Sequence, residues 1–399
     1  MNASLLDNDK YKFTMQAAVL KKFPKARAQY VFKCRKDVKI NTEFLILLQS
    51  KIDNLDGLSA TQEERNYLLS QISVNGYYDY LSNYKLDSSH VLNNIQELIV
   101  KSQNKDVYLS ELELSPTGRW VDEIWWEVPL LYLVSECYFK TCDTLWSMNG
   151  QKEKFIQKGM DLTSNDCKFV EFGTRRRRNF EVQEMAVSIL KNFAKFAGTS
   201  NVYLAKKYNV PCLGTQAHEW TMGISGLVSL KKANKFAIEY WKSVYPSLPN
   251  ICLPDTFTTD VFINDLVSDD LFHLCDGFRQ DSGIPMEFFD KFYNLYNSKS
   301  KHLNIMFSDS LNTEKCVKMQ RQMDGLNCSA SYGIGTFLTN DFDSSPALNI
   351  VMKLAAVAES ENHPWVDLVK LGDGQGKEIG KKDAVSVAKY TFFGKPIYN

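Results

Sequence analysis

Residues 169–178 read FVEFGTRRRR, an apolar segment that ends in a small Gly-Thr turn and continues into a charged stretch. Similar apolar segments with polar ends recur at PCLGT (211–215), NICLPDT (250–256), HLCDGFRQD (273–281), NIMFSDS (304–310) and CSASYGIGT (328–336). Amphipathic stretches that fit helices follow most of these segments, for example after Arg178 and from Pro285. Strands and helices that alternate at this spacing predict βα units and a parallel sheet or barrel.

The polar ends of these segments locate the expected chemistry. In parallel α/β folds, the loops at the carboxyl ends of the strands carry the ligand site. We therefore expect the ends rich in Gly, Ser, Asp and Arg to form one site. GTSN (198–201) is a further small polar turn that leads into a helix, and such turns can hold phosphate with backbone N–H groups.

The first 160 residues indicate a region of mixed structure. We expect a helix at 12–22, a strand at 27–33, a polar helix-rich stretch at 41–104, a strand at 106–113 and an apolar helix at 128–139. A partly helical stretch is expected at 147–166. Two more apolar segments, 348–354 and 366–371, precede a Gly-rich turn near the C-terminus.

Composition narrows the class of protein. The 399-residue chain has 44% hydrophobic residues, and its 47 basic residues balance its 47 acidic ones. No global field therefore attracts nucleic acid or an anionic membrane, and an anionic ligand has to be bound by a local cluster of charge. The chain lacks signal-peptide features and any apolar run long enough to span a bilayer, and its nine cysteines include no CxxC pair. These features predict a cytoplasmic protein with reduced thiols.

Four consecutive arginines, residues 175–178, concentrate positive charge at the start of a predicted helix. Guanidinium groups bind carboxylates and phosphates in a bidentate manner, and a helix N-terminus adds to that attraction. Four neighbours on one helical turn point in different directions, so we expect only one or two of them in the site. The balanced net charge disfavours the alternative of a nucleic-acid patch.

GTQAHEW (214–220) places His218 just beyond a predicted strand end, and Asp255 in LPDT ends the next strand. A lone histidine is more often structural than catalytic, but this position at the mouth of the sheet favours catalysis. A carboxylate on one ring nitrogen would fix the tautomer and leave the other nitrogen as a nucleophile.

GFRQDSG (277–283) carries Arg279 and Asp281 two residues apart, so their side chains share one face of an extended strand. A cation for phosphate and a carboxylate for a metal or ribose hydroxyls fit that arrangement, and a plain ion pair is the alternative. Gly333 and Gly335 would let the backbone approach a phosphate closely. The chain contains no GxxxxGK(S/T) motif, so any ATP is not held by a P-loop.

EFGTRRRR, GTSN, GTQAHEW and GFRQDSG, in this order, resemble the nicotinate phosphoribosyltransferase family, and the likeness extends from LLDNDKYKFTM to VKLGD. The resemblance implies an α/β fold class, with an irregular α/β barrel packed against an α+β domain. The expected parts are an N-terminal α+β domain at 1–140, the barrel at 141–345, and a C-terminal segment at 346–399 that closes the barrel and returns to the first domain.

The resemblance also implies a reaction. The family joins nicotinate to phosphoribosyl pyrophosphate, giving nicotinate mononucleotide and pyrophosphate in NAD biosynthesis. ATP hydrolysis assists through a phosphohistidine, and Mg²⁺ is required. Subunits of the family pair head to tail, so a homodimer with shared active sites is expected.

Roles for single residues follow from the same resemblance. His218 matches the phosphorylated histidine, and Asp255 matches the acid that orients it. Phe172 would stack on one face of the pyridine ring, Tyr11 of the partner subunit would cover the other face, and Arg175 would lie near the carboxylate. The other expected substrate contacts are Thr215, Arg279, Asp281, Ser308, Asp309, Gly333, Gly335 and Thr336.

Other functions remain as alternatives. Nicotinamide phosphoribosyltransferase is the nearest, because an aromatic sandwich accepts either ring and only charge discriminates between them. The arginine run favours the anionic acid over the amide. Quinolinate phosphoribosyltransferase, a barrel-type hydrolase or aldolase, and a non-catalytic scaffold are weaker alternatives. The five histidines include no HxH or HExxH spacing, which disfavours zinc.

Overall fold

The computed structural model describes residues 3–214, 216–374 and 378–394. Its N-terminal part is formed by α1 (Lys10–Lys22), β1 (Arg27–Cys34), β2 (Lys39–Ile40), α2 (Thr42–Asp53), α3 (Gln62–Gln71), α4 (Tyr77–Asn83), β3 (Val91–Asn93), α5 (Ile95–Ser102), β4 (Val107–Tyr108), β5 (Leu114–Arg119), α6 (Trp120–Glu123) and α7 (Glu127–Thr141). The predicted helix at 12–22, strand at 27–33 and helix at 128–139 are confirmed, and the stretch 41–104 is helix-rich as expected.

The predicted strand at 106–113 is wrong for most of its length. After the short β4 the chain turns through a 3₁₀ segment, Leu109–Glu111, where the Glu111 carboxylate accepts a hydrogen bond from the Tyr108 amide at 3.0 Å. The strand lies further on, in β5, whose sequence LSPTGR lacks apolar alternation and contains a proline and a glycine. β5 is nevertheless a strand because it pairs with both β1 and β3, a tertiary effect that overrides local propensity.

The second part alternates strands and helices as predicted. It contains α8 (Gln151–Ser164), β6 (Phe169–Glu171), α9 (Phe180–Leu190), β7 (Phe196–Thr199), α10 (Val202–Tyr208), α11 (His218–Leu227), α12 (Ala233–Val244), β8 (Ile251–Cys252), α13 (Thr259–Ser268), β9 (Gly277–Gln280), α14 (Pro285–Asn297), β10 (Leu303–Phe307), α15 (Thr313–Met323), β11 (Cys328–Ile334) and α16 (Thr336–Thr339). The six strands form one parallel sheet in the order β7-β6-β11-β10-β9-β8.

The edge of this sheet beyond β7 departs from a regular barrel. The predicted strand at PCLGT is wrong, because in the described residues it amounts to one parallel bridge between Thr199 and Cys212. Pro211 has no N–H to donate, but its carbonyl accepts a bond from the Thr199 amide at 3.2 Å. Gly198 makes this close crossing possible, since its φ is +143° and an added Cβ would lie 2.1 Å from the Pro211 oxygen.

The C-terminal segment consists of β12 (Ile350–Ala358), β13 (Val366–Asp367) and α17 (Lys382–Phe393). β12 pairs antiparallel with β1 from Arg27↔Ala358 to Cys34↔Ile350, so this late strand lies within the N-terminal sheet, whose order is β13-β12-β1-β5-β3. The α/β fold class is therefore observed, with a parallel βα unit beside a mixed region.

Two large apolar cores support these sheets. One lies in the N-terminal part and also takes in Trp220 of α11 and Trp241 of α12, whereas the other fills the space around the parallel strands. α11 therefore packs on the N-terminal core while its first residue, His218, faces the parallel sheet. None of the helices in the described part of the chain combines the length and apolarity needed to cross a bilayer.

Candidate active site

A cavity of about 400 Å³ opens at the carboxyl ends of the parallel strands. Most of the residues predicted to bind substrate line it, namely Tyr11, Phe172, Arg175, Arg279, Asp281, Ser308, Asp309, Gly333, Gly335 and Thr336. His218 and Asp255 lie just behind this lining, in contact with residues that form it. Thr215, which was also predicted, lies outside the described residues.

A buried carboxyl, Glu171, holds the end of β6 in place. Its side chain accepts hydrogen bonds from Thr199 Oγ1 at 2.6 Å and from Gln183 Nε2 at 3.1 Å, and also from the Gly173 amide. Burial raises the pKa of Glu171 to about 7. This network ties β6 to β7 and α9, and so fixes the turn that carries Phe172 and the arginines.

Two of the four arginines lie at the cavity, within the one or two expected from the sequence. Arg175 and Arg176 line the cavity. Arg177 is buried and pairs with Asp7 at 2.7 Å, and Arg178 is buried among aromatic rings. Burial lowers the pKa of Arg176 to about 10, and the Arg175 cation adds to the lowering, so the cavity wall is a site of concentrated positive charge.

His218 begins α11, and both of its ring nitrogens face polar partners. Nδ1 lies 3.0 Å from Thr256 Oγ1. Nε2 lies 2.7 Å from Lys370 Nζ, 3.2 Å from Asp281 Oδ2 and 3.5 Å from Asp255 Oδ1. Asp255 lies on the side of one ring nitrogen, as expected. The other nitrogen is not left open, because Nδ1 contacts Thr256, and Lys370 contacts Nε2 as well.

This environment keeps the imidazole neutral. Burial lowers the pKa of His218 to about 4, and the Lys370 ammonium lowers it further, against the opposing effect of Asp255 and Asp281. An ammonium can only donate, so the bond from Lys370 assigns a lone pair to Nε2 and the proton to Nδ1, which then donates to Thr256. A neutral imidazole has the protonation state of a nucleophile, and its Nε2 faces Lys370 and Asp281, two residues that line the cavity.

The two aspartates at this end are both held as carboxylates. Burial alone would raise the pKa of Asp281, but Arg279, His218 and Lys370 hold it well below its ordinary value. Arg279 Nη2 donates to Asp281 Oδ1 at 3.1 Å, so the two side chains form an ion pair at the end of β9. Burial likewise opposes ionisation of Asp255, and His218 and Lys370 together lower its pKa.

Two lysines of the C-terminal segment were not predicted. Lys370 joins His218 to Asp255, whose Oδ2 it approaches to 3.1 Å, and it is held there because the next amide, of Leu371, donates to Thr256 O at 2.8 Å. Lys353 on β12 lines the cavity, where burial and the neighbouring Lys370 lower its pKa to about 8. A single lysine inside each of two apolar segments, NIVMKL and VDLVKL, was the available signal.

The glycines of YGIGT line the cavity and also make room for Phe172. An added Cβ on Gly333 would lie 2.5 Å from the Phe172 ring, so the space beside this glycine is filled by an aromatic side chain. An added Cβ on Gly335 would lie 3.3 Å from the Phe172 carbonyl oxygen. In this structure both glycines therefore let the Phe172 turn approach the end of β11.

Tyr11 was expected to come from a partner subunit, but it lines the cavity of its own chain. The start of α1 is bound to the end of β7 by two contacts. The Lys10 amide donates to Ser200 O at 2.8 Å, and Ser200 Oγ donates to Asp9 Oδ1 at 2.7 Å. These bonds hold the first turn of α1 beside the parallel sheet, which brings Tyr11 to the cavity without a second subunit.

His218, Asp255 and Asp281 present ligand atoms that lie within 4.8 Å of one another. This group does not fit Mg²⁺, which prefers an octahedron of oxygen ligands, because one donor is an imidazole nitrogen and the Lys370 ammonium lies within hydrogen-bonding distance of two members. The Lys370 ammonium supplies the positive charge in this cluster.

Comparison with known proteins agrees with this architecture. The family model described as the nicotinate phosphoribosyltransferase (NAPRTase) family matches residues 167–394, and the N-terminal domain model of the same family matches residues 6–135. A nicotinate phosphoribosyltransferase from Methanosarcina mazei is 39% identical, over 98% of either chain.

Solved structures give the same result. A nicotinate phosphoribosyltransferase from Porphyromonas gingivalis superposes with a TM-score of 0.90 at 32% identity, covering 98% of this chain and 100% of the other. A putative nicotinate phosphoribosyltransferase from Saccharomyces cerevisiae superposes with a TM-score of 0.87 at 33% identity, covering 98% and 97%. With both parts of the chain matched and 98% of its length superposed, this protein belongs to the nicotinate phosphoribosyltransferase family.

Proposed function

We propose that this protein is an ATP-assisted nicotinate phosphoribosyltransferase. The observation that carries the proposal is the composition of one cavity. One end holds two aromatic residues and a cation, Tyr11, Phe172 and Arg175, and the other end leads to a neutral buried histidine. The first end suits an anionic aromatic ring, and the second suits a phosphoryl acceptor.

At the aromatic end, nicotinate would lie between Tyr11 and Phe172 with its carboxylate toward Arg175. The ring nitrogen would then attack C1 of phosphoribosyl pyrophosphate. The new C1–N bond replaces the C1–O bond to pyrophosphate, which leaves with the bonding electrons. Such a transfer needs positioning and electrostatic stabilisation rather than a protein nucleophile at the sugar. Arg279, Ser308, Asp309 and Thr336, which line the same cavity, are proposed to hold the ribose and phosphate groups.

At the other end, His218 would accept the γ-phosphoryl group of ATP. The Nε2 lone pair forms the N–P bond, the bond from phosphorus to the bridging oxygen breaks, and ADP leaves with those electrons. The Nδ1 proton stays on the ring, and the positive charge that develops there is balanced by Asp255 and Asp281. The phosphorylated histidine would add negative charge near the pyrophosphate position and so couple ATP cleavage to phosphoribosyl transfer.

Mg²⁺ would serve as a partner of the phosphate groups. Mg²⁺ is usually bound by one or two carboxylates together with substrate phosphates. Asp281 and Asp309 both line the cavity and offer oxygen ligands of that kind. When bound, the ion would neutralise charge on the pyrophosphate leaving group.

A homodimer is also part of the proposal, on the strength of family membership. Because Tyr11 already lines its own chain's cavity, a partner would add contacts at the rim rather than supply this ring. Sedimentation analysis of the purified protein, with and without nicotinate, measures the subunit number directly.

A phosphoribosylation assay tests the function. Purified protein receives phosphoribosyl pyrophosphate and Mg²⁺ with nicotinate or nicotinamide, in the presence and absence of ATP, and mononucleotide is measured by chromatography. We expect product from nicotinate, with a rate that ATP increases. Product from nicotinamide alone would show the sister activity instead, and no product from either base would refute the proposal.

A further inference from the structure

The hydroxyl of Tyr11 is buried without a partner. The side chain lines the cavity and is 8% exposed, and its Oη makes no hydrogen bond to any residue in 3–214, 216–374 or 378–394. Buried hydroxyls are normally hydrogen-bonded, because an unpaired one has lost its water without replacement. An orphaned hydroxyl in the wall of a cavity therefore points to a ligand that supplies the missing partner.

Arg175 supplies a cation in the wall of the same cavity. Its guanidinium lies against Glu127, the carboxylate that also pairs with Lys12, the residue next to Tyr11. Arg175 Nη1 lies 3.4 Å from Glu127 Oε1, and the side chain is 38% exposed toward the cavity. A ligand can therefore reach the guanidinium and the phenol at the same time.

The phenol stays a hydrogen-bond donor at physiological pH. Burial raises the pKa of Tyr11 well above its ordinary value, and the Glu127 carboxylate raises it further. Two donors thus converge, one neutral and one cationic. Two converging donors match the two oxygens of a carboxylate, whereas a carboxamide offers one acceptor oxygen and would turn an N–H group toward one of the donors.

The next residue of the same helix fixes this geometry. Lys12 is fully buried, and its Nζ lies 2.5 Å from Glu127 Oε2 and also pairs with Glu219. Glu127 therefore contacts both Lys12, beside Tyr11 on α1, and Arg175. The buried Glu127 carboxylate therefore links α1, which carries the Tyr11 hydroxyl, to the turn after β6, which carries the Arg175 guanidinium.

We infer that the Tyr11 hydroxyl and the Arg175 guanidinium together bind the carboxylate of the pyridine substrate, and that this hydroxyl is a determinant of acid-over-amide specificity. The inference rests on the proposed function and adds to it, since it gives Tyr11 a polar role beyond covering the ring. It also completes the carboxylate site within one chain.

Tyr11→Phe tests the inference, because it keeps the aromatic ring and removes only the hydroxyl. Loss of a hydrogen bond to a charged group predicts that KM and the calorimetric Kd for nicotinate rise roughly tenfold or more. The kcat at saturating nicotinate should change little, and any use of nicotinamide should stay the same, so the acid-to-amide preference falls by the same factor.

Tyr296→Phe is the matched control. Its hydroxyl is also buried and without a hydrogen bond in the described part of the chain, but it lies in the core behind β9 rather than in the cavity. This variant should bind nicotinate like the wild type. Arg175→Lys supplies a second arm, since it keeps the charge but loses the forked geometry, and it should also weaken nicotinate selectively.

These measurements distinguish a failure of the Tyr11 inference from a failure of the proposed function. If the wild-type enzyme makes mononucleotide from nicotinate but Tyr11→Phe keeps the KM and Kd within twofold, the inference is refuted and the proposed function stands. If the wild type neither binds nicotinate nor converts it, the proposed function is refuted and the inference falls with it.

Discussion

The two ends of the cavity differ in how completely their polar groups are paired. Around His218, both ring nitrogens, Asp255 and Lys370 contact one another or the adjacent loops, and the imidazole is neutral. Around Tyr11, the hydroxyl has no partner among the described residues and Arg175 is 38% exposed. The charges of the first end are paired with one another, which suits a step that changes charge, whereas the second end keeps a hydroxyl donor without a partner, which suits binding an acceptor.

The largest effect should come from removing the imidazole. His218→Ala should abolish phosphohistidine formation and lower ATP-coupled turnover on the order of 10³-fold or more, because it removes the group proposed to accept the phosphoryl. Phosphoribosyl transfer without ATP should persist at a basal rate, since the Tyr11 end is untouched. Acid-labile or hydroxylamine-labile ³²P incorporation and ADP release measure the two activities.

His273→Ala provides the matched control for this prediction. His273 is exposed at the surface and remote from the cavity lining, so its loss should leave ATP hydrolysis unchanged. If the His218→Ala protein still hydrolysed ATP in step with product formation, the phosphohistidine mechanism would be refuted. Phosphoryl transfer would then not be confined to the His218 end of the cavity.

A smaller effect is expected from Lys370→Met, which removes the cation but keeps the volume. We expect ATP-coupled turnover to fall on the order of 10²-fold at neutral pH, because the phosphoryl oxygens lose a preorganised donor. The pH profile should change as well. Lys370 lowers the pKa of His218, so its removal raises that pKa from about 4 toward the ordinary value of about 6.5, and the imidazole becomes protonated at higher pH.

The rate of phosphohistidine formation between pH 4.5 and 8 measures this shift, with buffers of constant ionic strength. The wild type should keep its rate down to about pH 5. The variant, in which His218 stays buried but has lost the neighbouring cation, should lose activity at a higher pH than the wild type. If the rate of phosphohistidine formation falls at the same pH in Lys370→Met as in the wild type, Lys370 does not control the protonation of His218.

The His218 end could be predicted largely from the sequence, for a physical reason. Strands β6, β9, β10 and β11 are parallel neighbours, so their polar carboxyl ends must meet at one edge of the sheet. The local sequence therefore predicted that Arg279, Asp281 and Ser308 lie in one site. The parts that failed were local details, such as the expectation that one ring nitrogen of His218 is left free of protein contacts.

The Tyr11 end could not be predicted in the same way. Lys12, Glu127 and Glu219 lie on three helices that are far apart in sequence, and Lys353 reaches the cavity only because β12 pairs with β1. No periodicity in α1 or α7 indicates these pairings. The available signal was a charged residue within a buried apolar helix, such as Glu127 at the start of EVPLLYLV, because such a charge requires a partner.

Glu127→Gln should have a moderate effect that is confined to the Tyr11 end. The substitution leaves Lys12 and Arg175 with one fewer counter-charge, and breaking a buried ion pair typically destabilises a protein by about 3 kcal/mol or more. We expect a lower free energy of unfolding in urea and a KM for nicotinate that rises about tenfold through loss of orientation. Phosphohistidine formation should be unaffected.

Asp106→Asn is the control, since it breaks the ion pair with Lys39, in which both side chains are well exposed, at 62% for Lys39 and 59% for Asp106. Exposed pairs of this kind often contribute nothing measurable. Equal urea midpoints for Glu127→Gln and wild type would show that the buried network is not needed to hold the Tyr11 end together.

The smallest effect should come from Gly333→Ala, which changes the cavity wall between the two ends. The added Cβ would lie 2.5 Å from the Phe172 ring, so the ring has to move, but it is a side chain with space on its cavity side. We expect KM for nicotinate to rise about fivefold and ATP-driven phosphorylation to stay unchanged, since small overpacking costs are absorbed locally. Ser331→Ala, on the same strand but outside the cavity lining, should change neither. A fall in phosphorylation with Gly333→Ala would mean that the wall transmits strain to His218, so that the two ends act as one unit rather than as the separately built regions described here.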